Sequence, residues 1–437
     1  MEMEIKMSKG EMSVSIVKIP YSRGFVDLEV KDTNLLGVLE SKAHHFKTED
    51  DQETIVRKAL ESPISSPRLK DLAKEKNNIV IITSDHTRPV PSKITLPILL
   101  EEIRSGNPTA DITILIATGF HRLTTREEMI NKFGEDIVNN EKLVNHDCWD
   151  DKNLVDVGIL PSGGKLILNK LAMEADLLVA EGFIEPHFFA GFSGGRKSVL
   201  PGVASGTTVL ANHCSKFIAS EFARTGWLEG NPIHKDMLFA AEAANLAFIL
   251  NVVIDADKKV INAFAGNRVL AHETGCKFVT ELASVKSIPA DIVITSNGGY
   301  PLDQNIYQAV KGMTAAEATA NEDAVIIIAA ACNDGHGGKA FYDTFVENPT
   351  PQSIMDKILQ IPMESTIPDQ WESQILARVL IKHKVILVTD QCDPQLVRDM
   401  KMIHAYTLDE ALKMAYEIKG QNATVTVVPD GVSVIVL

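Results

Sequence analysis

Continuous apolar runs rich in β-branched residues alternate along the chain with segments of helical periodicity. Such runs are typical of strands that are buried on both faces of a parallel sheet. Their alternation with helices predicts an α/β fold in which mainly parallel sheets are flanked by helices. The predicted strands span residues 78–83, 111–118, 176–180, 248–254, 291–295, 323–331 and 384–389.

The chain has 437 residues, a length that predicts two or three domains. A second series of strands and helices begins near Asp291, which places a linker at about residues 276–290. The predicted domains are therefore residues 1–280 and 288–410. The tail, residues 423–437, has two apolar runs around Pro-Asp-Gly, which predicts two strands joined by a turn.

The charge balance restricts the classes of partner. Lys and Arg total 43 against 58 Asp and Glu, a net charge of −15 that argues against a general binder of nucleic acid or of anionic membranes. The longest apolar stretch, residues 324–332, is too short to cross a bilayer, and the acidic N-terminus lacks the features of a signal peptide. The five cysteines are scattered without a C-x-x-C pair, which predicts reduced thiols and a cytoplasmic protein.

Polar segments directly follow most of the predicted strands. Parallel sheets bind ligands at the carboxyl ends of their strands, so these segments together predict an active site. Any one of them could be simple turn chemistry, because Gly, Asp, Asn and Pro also form turns. The segments are residues 84–89, 119–122, 185–198, 296–301 and 333–338.

Residues 191–198, GFSGGRKS, resemble a P-loop in which Arg196 takes the place of the second glycine. A side chain there would crowd the backbone that surrounds phosphates, which argues against an ordinary nucleotide triphosphatase. The interpretation is a flexible loop that presents Lys197 beside Arg196, where the lysine is a nucleophile or covalent anchor. The alternative is a phosphate-binding loop without covalent chemistry.

Three histidines are candidates for chemistry. His121 and His187 follow strand ends and could form an acid/base pair. His213 lies on a predicted helix over residues 208–218, where it is either a packed core residue or a metal ligand held rigid by that packing. No H-E-x-x-H motif occurs, so the sequence does not predict a zincin-type hydrolase.

A helix is predicted to begin at Asn305, and it places Tyr307, Gln308 and Lys311 on one face. A cation beside an amide and a phenol suits a small carboxylate. The alternative is a solvated helix face.

Taken together, these motifs resemble the nickel-dependent lactate racemase family, the 2-hydroxyacid racemases that use a nickel–pincer nucleotide. The resemblance covers the whole chain in the family's order and spacing. It is carried by SDHTRP at 84–89, GFHR at 119–122, EPHFFAGFSGGRKSVLPG at 185–202, His213, and YQAVK at 307–311 with Trp371.

The resemblance implies a tethered cofactor, pyridinium-3-thioamide-5-thiocarboxylic acid mononucleotide, joined to Lys197 through a thioamide. His213 is implied to be the protein ligand of nickel(II), beside two sulfurs and a ring carbon. Arg88 is implied to face the reacting oxygen as well as the cofactor. The residues implied to contact the cofactor are Asp85, His86, Thr87 and Arg88.

The implied activity is interconversion of D- and L-lactate by hydride transfer through pyruvate. His121 and His187 are implied to exchange the hydroxyl proton, each serving one enantiomer as base and the other as acid. Gln308 and Lys311 are implied to bind the substrate carboxylate, with Tyr307 and Trp371 shaping the pocket.

The family's fold implies two α/β domains with the site in the cleft between them, and C-terminal strands at 423–437 that return to the first, cofactor-binding domain. The implied partners are a small 2-hydroxy acid and, transiently, the enzymes that synthesise the cofactor. One alternative is a racemase or epimerase of another 2-hydroxy acid. A second is a non-catalytic carrier of nickel or cofactor, although a carrier would not need both His121 and His187.

Overall fold

The computed structural model describes residues 4–6 and 13–437. It divides into two compact units that are discontinuous in sequence. The first unit comprises Lys42–His213 and Ser220–Leu282, and the second comprises Ala283–Leu437, Cys214–Ala219 and the described part of Met1–Ser41.

The first unit is built on a six-stranded sheet whose neighbouring strands are parallel except for one antiparallel edge strand. Isoleucine, leucine and valine side chains are buried on both faces, as continuous apolar runs predict. The strands, in spatial order, are Val260–Gly266, Leu246–Ile254, Leu177–Phe183, Asn78–Ser84, Asp111–Ala117 and Lys142–Asn145.

Helices and two short hairpins complete this unit. The hairpins pair Leu154–Ile159 with Lys165–Asn169 and Pro186–His187 with Gly191–Phe192. The 3₁₀ turns are Lys42–His45, Asp151–Asn153 and Gly195–Ser198. The helices are Gln52–Glu61, Leu69–Leu72, Ser92–Gly106, Arg126–Phe133, Glu135–Asn140, Lys170–Met173, Gly206–Asn212, Pro232–Ala243 and Leu270–Ala283.

The second unit contains a six-stranded sheet in which every neighbouring pair is parallel. Together the two sheets confirm the predicted α/β class with mainly parallel strands flanked by helices. The strands, in spatial order, are Ile403–Ala405, Lys384–Val388, Ala320–Ala329, Ala290–Ser296, Val425–Val428 and Leu35–Val38.

Further elements surround this second sheet. Strands Glu4–Lys6, Val14–Tyr21 and Gly24–Lys31 form an antiparallel sheet, and Met363–Ser365 is a 3₁₀ turn. The helices are Ser215–Ile218, Ile306–Glu317, Lys339–Val346, Pro351–Leu359, Gln370–Lys382, Pro394–Asp399 and Leu408–Lys419.

The tail lies in the second unit, so the prediction that residues 423–437 return to the N-terminal domain is wrong. Val425–Val428 is an interior strand, parallel to Ala290–Ser296 on one side and to Leu35–Val38 on the other. The four N-terminal strands described above, between residues 4 and 38, also belong to the second unit and contradict a first domain that begins at residue 1. All four residues of Val425–Val428 are buried, as expected for an interior strand of a parallel sheet.

The tail's two strands are present but do not pair with each other. Ile435–Val436 pairs instead with Ser284–Val285 in a separate two-stranded sheet. The Pro-Asp-Gly segment therefore links two sheets and does not close a hairpin.

The predicted linker at residues 276–290 is partly helical. The helix Leu270–Ala283 extends into it, and the boundary between the units falls between Leu282 and Ala283. The boundary thus falls within residues 276–290, but the helix continues up to it.

The predicted helix over residues 208–218 is two helices. Gly206–Asn212 ends at His213, and Ser215–Ile218 starts after Cys214 and belongs to the second unit. The Ser215 carbonyl accepts a hydrogen bond from Gln374 Nε2 at 2.9 Å, within that second unit. His213 therefore stands at a break in the helix and not in its middle.

All five cysteines are buried, and none of them forms a disulfide in the described structure. In the described part of the chain, no helix combines the length and apolarity needed to cross a bilayer.

The placement of the tail can be tested with Val427→Ala, which removes two methyl groups from a fully buried position. We expect a loss of about 2 kcal/mol in the stability of the second unit. Hydrogen-exchange mass spectrometry should show faster exchange in Ala290–Ser296 and Leu35–Val38. The matched variant Val252→Ala, in the first sheet, should instead affect Leu177–Phe183. Faster exchange of Leu177–Phe183 in Val427→Ala would contradict the assignment.

Candidate active site

Two loops meet at the carboxyl edge of the first sheet. Residues 85–88 follow the strand Asn78–Ser84, and residues 119–122 follow its parallel neighbour Asp111–Ala117. As a result, the buried Asp85 carboxylate and the His121 ring are in contact, with Asp85 Oδ2 2.6 Å from His121 Nδ1. The prediction that these strand ends converge is confirmed for this pair.

The remaining polar groups of the 85–88 loop are arranged around the Asp85 carboxylate. Thr87 donates to Asp85 Oδ1 from its hydroxyl at 2.6 Å and from its backbone N–H at 3.1 Å. Arg88 in turn donates from Nη1 to Thr87 Oγ1 at 2.8 Å. Asp85, Thr87, Arg88 and His121 thus form one hydrogen-bonded cluster.

This cluster keeps Asp85 ionised and orients His121. Burial raises the pKa of the Asp85 carboxyl, but His121, Arg88 and Thr87 outweigh it and hold the pKa well below its usual range. An ionised carboxylate only accepts hydrogen bonds, so His121 Nδ1 must carry a hydrogen. Proton exchange by the half-exposed His121 ring is therefore left to Nε2.

His86 is directed toward the neighbouring helix. Its Nδ1 lies 3.2 Å from Thr124 Oγ1, and its Nε2 lies 3.7 Å from Glu128 Oε1. Burial lowers the pKa of His86, with opposing contributions from Asp85 and Glu128. His86 therefore contacts Thr124 and Glu128, whereas the other three predicted cofactor contacts belong to the hydrogen-bonded cluster with His121.

The P-loop-like segment is a tight turn packed onto the sheet. Gly194 and Gly195 have φ of +76° and +51°, which side chains rarely adopt. A Cβ at Gly195 would come within 2.7 Å of the His272 ring, and the Gly195 N–H donates to Asn251 Oδ1 at 2.7 Å. The glycines are therefore needed for close packing as well as for backbone conformation.

Arg196 points into the protein, which corrects the prediction that the loop presents it beside Lys197. Its guanidinium is 1% exposed and donates to the carbonyls of Ala190 and Phe192 at 2.7 and 2.8 Å. Nε donates to His234 Nδ1 at 2.9 Å. Burial lowers the pKa of Arg196 to about 10, so the group is still a cation at neutral pH. Arg196 is an internal support of the loop.

One aromatic ring joins three of the predicted functional residues. The centroid of the buried Phe189 ring lies 4.6 Å from that of His187, 5.2 Å from that of His213 and 5.7 Å from Lys197 Nζ. The structure therefore brings the predicted base, metal ligand and cofactor anchor around one residue that the sequence analysis did not select. The only signal was an aromatic pair, Phe188-Phe189, inside an otherwise polar loop.

His187 is stacked on Phe188, with ring centroids 5.0 Å apart. Its Nδ1 accepts a hydrogen bond from the Ala190 N–H at 3.3 Å, which favours a neutral tautomer with the hydrogen on Nε2. The bond is long, so it biases the tautomer weakly. His121 is held differently, by a short contact to a carboxylate.

His213 has the properties of a neutral imidazole ligand. Its Nδ1 lies 3.0 Å from the Val209 carbonyl, which can only accept, so the ring's lone pair is on Nε2. Burial lowers the pKa of His213 to about 3, and the Lys197 ammonium contributes to the shift. Neutral histidine whose second nitrogen binds a carbonyl is the usual form of a metal-ligating histidine.

The second unit holds the other predicted group. The helix Ile306–Glu317 is capped by the Asn305 side chain and carries Tyr307, Gln308 and Lys311, all half-buried. Trp371 is buried and donates from Nε1 to the Tyr307 hydroxyl at 2.9 Å. The predicted association of Trp371 with this helix is therefore present, and a fully solvated face is ruled out for Tyr307.

Glu372, next to Trp371, was not predicted. It is 1% exposed, and its Oε1 has no hydrogen-bond partner. Burial raises the pKa of Glu372 to about 8, while the Lys311 ammonium lowers it and Asp369 raises it. Lys311 therefore has a buried, largely protonated carboxyl as an electrostatic neighbour.

The support role of Arg196 can be measured by denaturant unfolding of Arg196→Met. We expect a loss of about 3 kcal/mol or more, because several buried carbonyls lose a charged donor at once. Arg122→Met is the matched control, since Arg122 is exposed and binds Glu128 at the surface; its cost should stay within about 0.5 kcal/mol. Equal stability of the two variants would contradict the role.

Comparison with known proteins identifies the family. The family model described as the lactate racemase N-terminal domain matches residues 21–226, and that described as the C-terminal domain matches residues 285–436. The chain is 61% identical over 420 residues to the lactate racemase of Thermoanaerobacterium thermosaccharolyticum, covering 96% of this chain and 99% of that one. It is 56% identical, with the same coverage, to the lactate racemase of Lactiplantibacillus plantarum.

Solved structures agree with the fold. A Thermotoga maritima protein, 19% identical, superposes with a TM-score of 0.65 over 90% of this chain and all of that one, a likeness of fold alone. The lactate racemase apoprotein of T. thermosaccharolyticum superposes with a TM-score of 0.94 at 60% identity, covering 97% of this chain and all of that one. With both family models matched in order along its length, the chain belongs to the lactate racemase family.

Proposed function

We propose that this chain is a racemase that interconverts D- and L-lactate. The observation that carries the proposal is 61% identity, over nearly the full length of both chains, to a curated lactate racemase. The hydrogen-bonded Asp85–His121 pair supports it, because racemisation needs a positioned group that accepts and returns a proton.

The substrate carboxylate is assigned to the helix Ile306–Glu317. Lys311 supplies a cation and Gln308 an amide three residues before it, on the same face. Tyr307, held by Trp371 Nε1, supplies an ordered phenol beside them. A neutral Glu372 favours this role, since it leaves the Lys311 charge available for an anionic substrate.

Proton transfer is assigned to His121 and His187. Asp85 fixes His121 with its hydrogen on Nδ1, so Nε2 takes the proton of the 2-hydroxyl in one direction and returns it in the other. His187 is assigned the opposite enantiomer, since the two enantiomers place the hydroxyl on different sides of C2. To take that proton at Nε2 it must adopt the other tautomer, which the long Ala190 contact opposes only weakly. Arg88, held by Thr87, is assigned to the reacting oxygen.

The residues around Phe189 fit the nickel–pincer nucleotide. Lys197 supplies an amine for a thioamide, and His213 supplies a neutral Nε2, a donor that nickel accepts. No cluster of three or more His, Cys, Asp or Glu residues suited to a metal occurs among the described residues, so the other donors have to come from the nucleotide. When bound, this group supplies a hydride acceptor and donor for C2 of the substrate.

Formation of the thioamide also changes the charge beside His213. Before attachment, the Lys197 ammonium opposes a second cation nearby and, after burial, is the next cause of the lowered pKa of His213. An amide-type nitrogen carries no charge, so attachment removes a cation next to the position assigned to nickel. We place loading and turnover in the cytoplasm, where cysteines outside disulfides, such as the five described here, persist.

The two-histidine assignment predicts that neither His121→Ala nor His187→Ala racemises lactate efficiently. Matured wild type should convert either enantiomer to an equal mixture, measured by chiral chromatography. Each variant should be slower in both directions by about 10² to 10⁴, because each histidine serves as base for one enantiomer and acid for the other. His404→Ala, in the second unit's edge strand, is the control and should retain the wild-type rate.

Wild-type rates in either histidine variant would overturn the two-base assignment. A matured wild type that leaves lactate unchanged while racemising another 2-hydroxy acid would overturn the substrate.

The cofactor assignment predicts that Lys197→Ala carries no covalent adduct, because that loop has no other amine. Intact-mass measurement after maturation with the cofactor-synthesis enzymes should show the adduct in wild type and in His213→Ala. His213→Ala should, however, lose nickel during gel filtration, since one donor is missing. An adduct on Lys197→Ala would contradict the anchor, and full nickel retention in His213→Ala would contradict the ligand.

A further inference from the structure

A half-buried lysine, Lys132, holds the end of the 85–88 loop. Lys132 Nζ donates a hydrogen bond to the Arg88 carbonyl at 2.8 Å. Lys132 lies in the last turn of the helix Arg126–Phe133, which starts at a complete capping box formed by Thr125 and Glu128. The hydrogen bond therefore ties the loop to a well-anchored helix.

The surroundings of Lys132 are unusual for a cation. Burial lowers its pKa to about 8, while Glu181 and Asp85 raise the pKa and Arg88 lowers it. Removing an ammonium group from water is costly, and such groups are normally exposed or paired. A lysine kept in this position calls for a role beyond packing.

Glu181 is a buried carboxylate that attracts Lys132 electrostatically, while its own hydrogen bonds are made with other groups. Its carboxylate, in the strand Leu177–Phe183, accepts hydrogen bonds from three hydroxyl groups. These belong to Thr83, Ser92 and Thr95, with Ser92 at 2.5 Å. The carboxylate is thus fixed by hydroxyls and attracts Lys132 through space.

The residues that Lys132 holds are the ones assigned to chemistry. Arg88 donates to Thr87, Thr87 donates to Asp85, and Asp85 orients His121. The Arg88 N–H also donates to the Asp85 carbonyl at 3.3 Å, which closes the loop into a turn. A shift of the Arg88 carbonyl would therefore be passed on to the Asp85–His121 contact.

We propose that Lys132 is a positioning residue of the racemase: by binding the Arg88 carbonyl it fixes the 85–88 loop so that Asp85 holds His121 for proton transfer. The effect of Lys132 on turnover rests on the proposed function, whereas its effect on the loop does not.

The hydrogen bond is strengthened by the positive charge of Lys132 and weakens when the proton is lost. The charged groups that act on Lys132 are Glu181 from the sheet and Asp85 and Arg88 from the loop. The ammonium is present below pH 8 and is lost as the pH rises through about 8, so turnover should fall over that range. Arginine keeps its charge throughout, so Lys132→Arg should remove the fall.

The test compares Lys132→Met and Lys132→Arg with Arg126→Ala, a control in the same helix at an exposed position whose side chain donates to Asn139 Oδ1 at 2.7 Å. Lys132→Met keeps an unbranched side chain, one atom shorter than that of lysine, and removes the charge. At pH 7 it should lower kcat for both enantiomers by up to about 100-fold, the cost of a small misplacement of a catalytic group. KM for lactate and the mass of the cofactor adduct should match wild type, because Lys311 and Lys197 are untouched.

Glu372→Gln is a second comparison, because the Glu372 carboxyl also titrates near pH 8. In that variant kcat should still fall above pH 8, whereas in Lys132→Arg it should not. A Lys132→Met enzyme with wild-type kcat across this range, or a Lys132→Arg enzyme with the wild-type fall, would overturn the proposal.

Hydrogen-exchange mass spectrometry of residues 84–92 separates this proposal from the proposed function. The loop should exchange faster in Lys132→Met than in Arg126→Ala, whichever substrate the enzyme uses. Unchanged exchange would overturn the positioning role. Faster exchange in a protein that does not racemise lactate would leave the positioning role standing and remove the proposed function.

Discussion

The contact between a buried carboxylate, Asp85, and the His121 ring is the interaction on which the arrangement of the first unit's site depends. It requires two parallel strands to end side by side, and it requires the loop after each to turn back over the sheet edge. Thr87 then donates a hydrogen bond to the second carboxylate oxygen, and Arg88 donates one to Thr87 within the loop. The histidine keeps one nitrogen for the carboxylate and one for a substrate.

Buried charges that lack a close ionic partner recur around the assigned residues. The Arg196 guanidinium is held by carbonyls and by His234, and the Lys132 ammonium binds one carbonyl; the Glu372 carboxyl, largely protonated, has an oxygen without a hydrogen-bond partner. Each costs stability, since a buried charge prefers a partner or neutralisation. Each also adjoins a residue to which chemistry is assigned, Lys197, Arg88 or Lys311. Such a cost in stability is expected where groups are fixed in place next to the functional residues of a preorganised site.

The sheets were predictable because continuous apolar runs leave few alternatives to buried parallel strands. That the loops holding Asp85 and His121 lie at one edge followed from the same reasoning, since strand ends of a parallel sheet share an edge, but their direct contact was not predicted. The strand Val425–Val428 was misplaced on the resemblance, because by sequence pattern alone the tail could belong to either domain. Arg196 was misread because adjacent residues in a tight turn point in different directions, and only the fold decides which is buried. The break at His213 depends on packing of Ser215–Ile218 within the second unit, which periodicity does not report.

The ¹⁵N resonances of the His121 ring test the central claim most directly, because they report which nitrogen carries the hydrogen. At neutral pH, we expect Nδ1 to carry the hydrogen bound to Asp85, which leaves Nε2 to exchange a proton with the substrate. In Asp85→Asn the Nδ1 hydrogen should no longer be favoured. A wild-type ring with its hydrogen on Nε2 and a bare Nδ1, unchanged by Asp85→Asn, would contradict the claim that Asp85 prepares His121 for proton transfer.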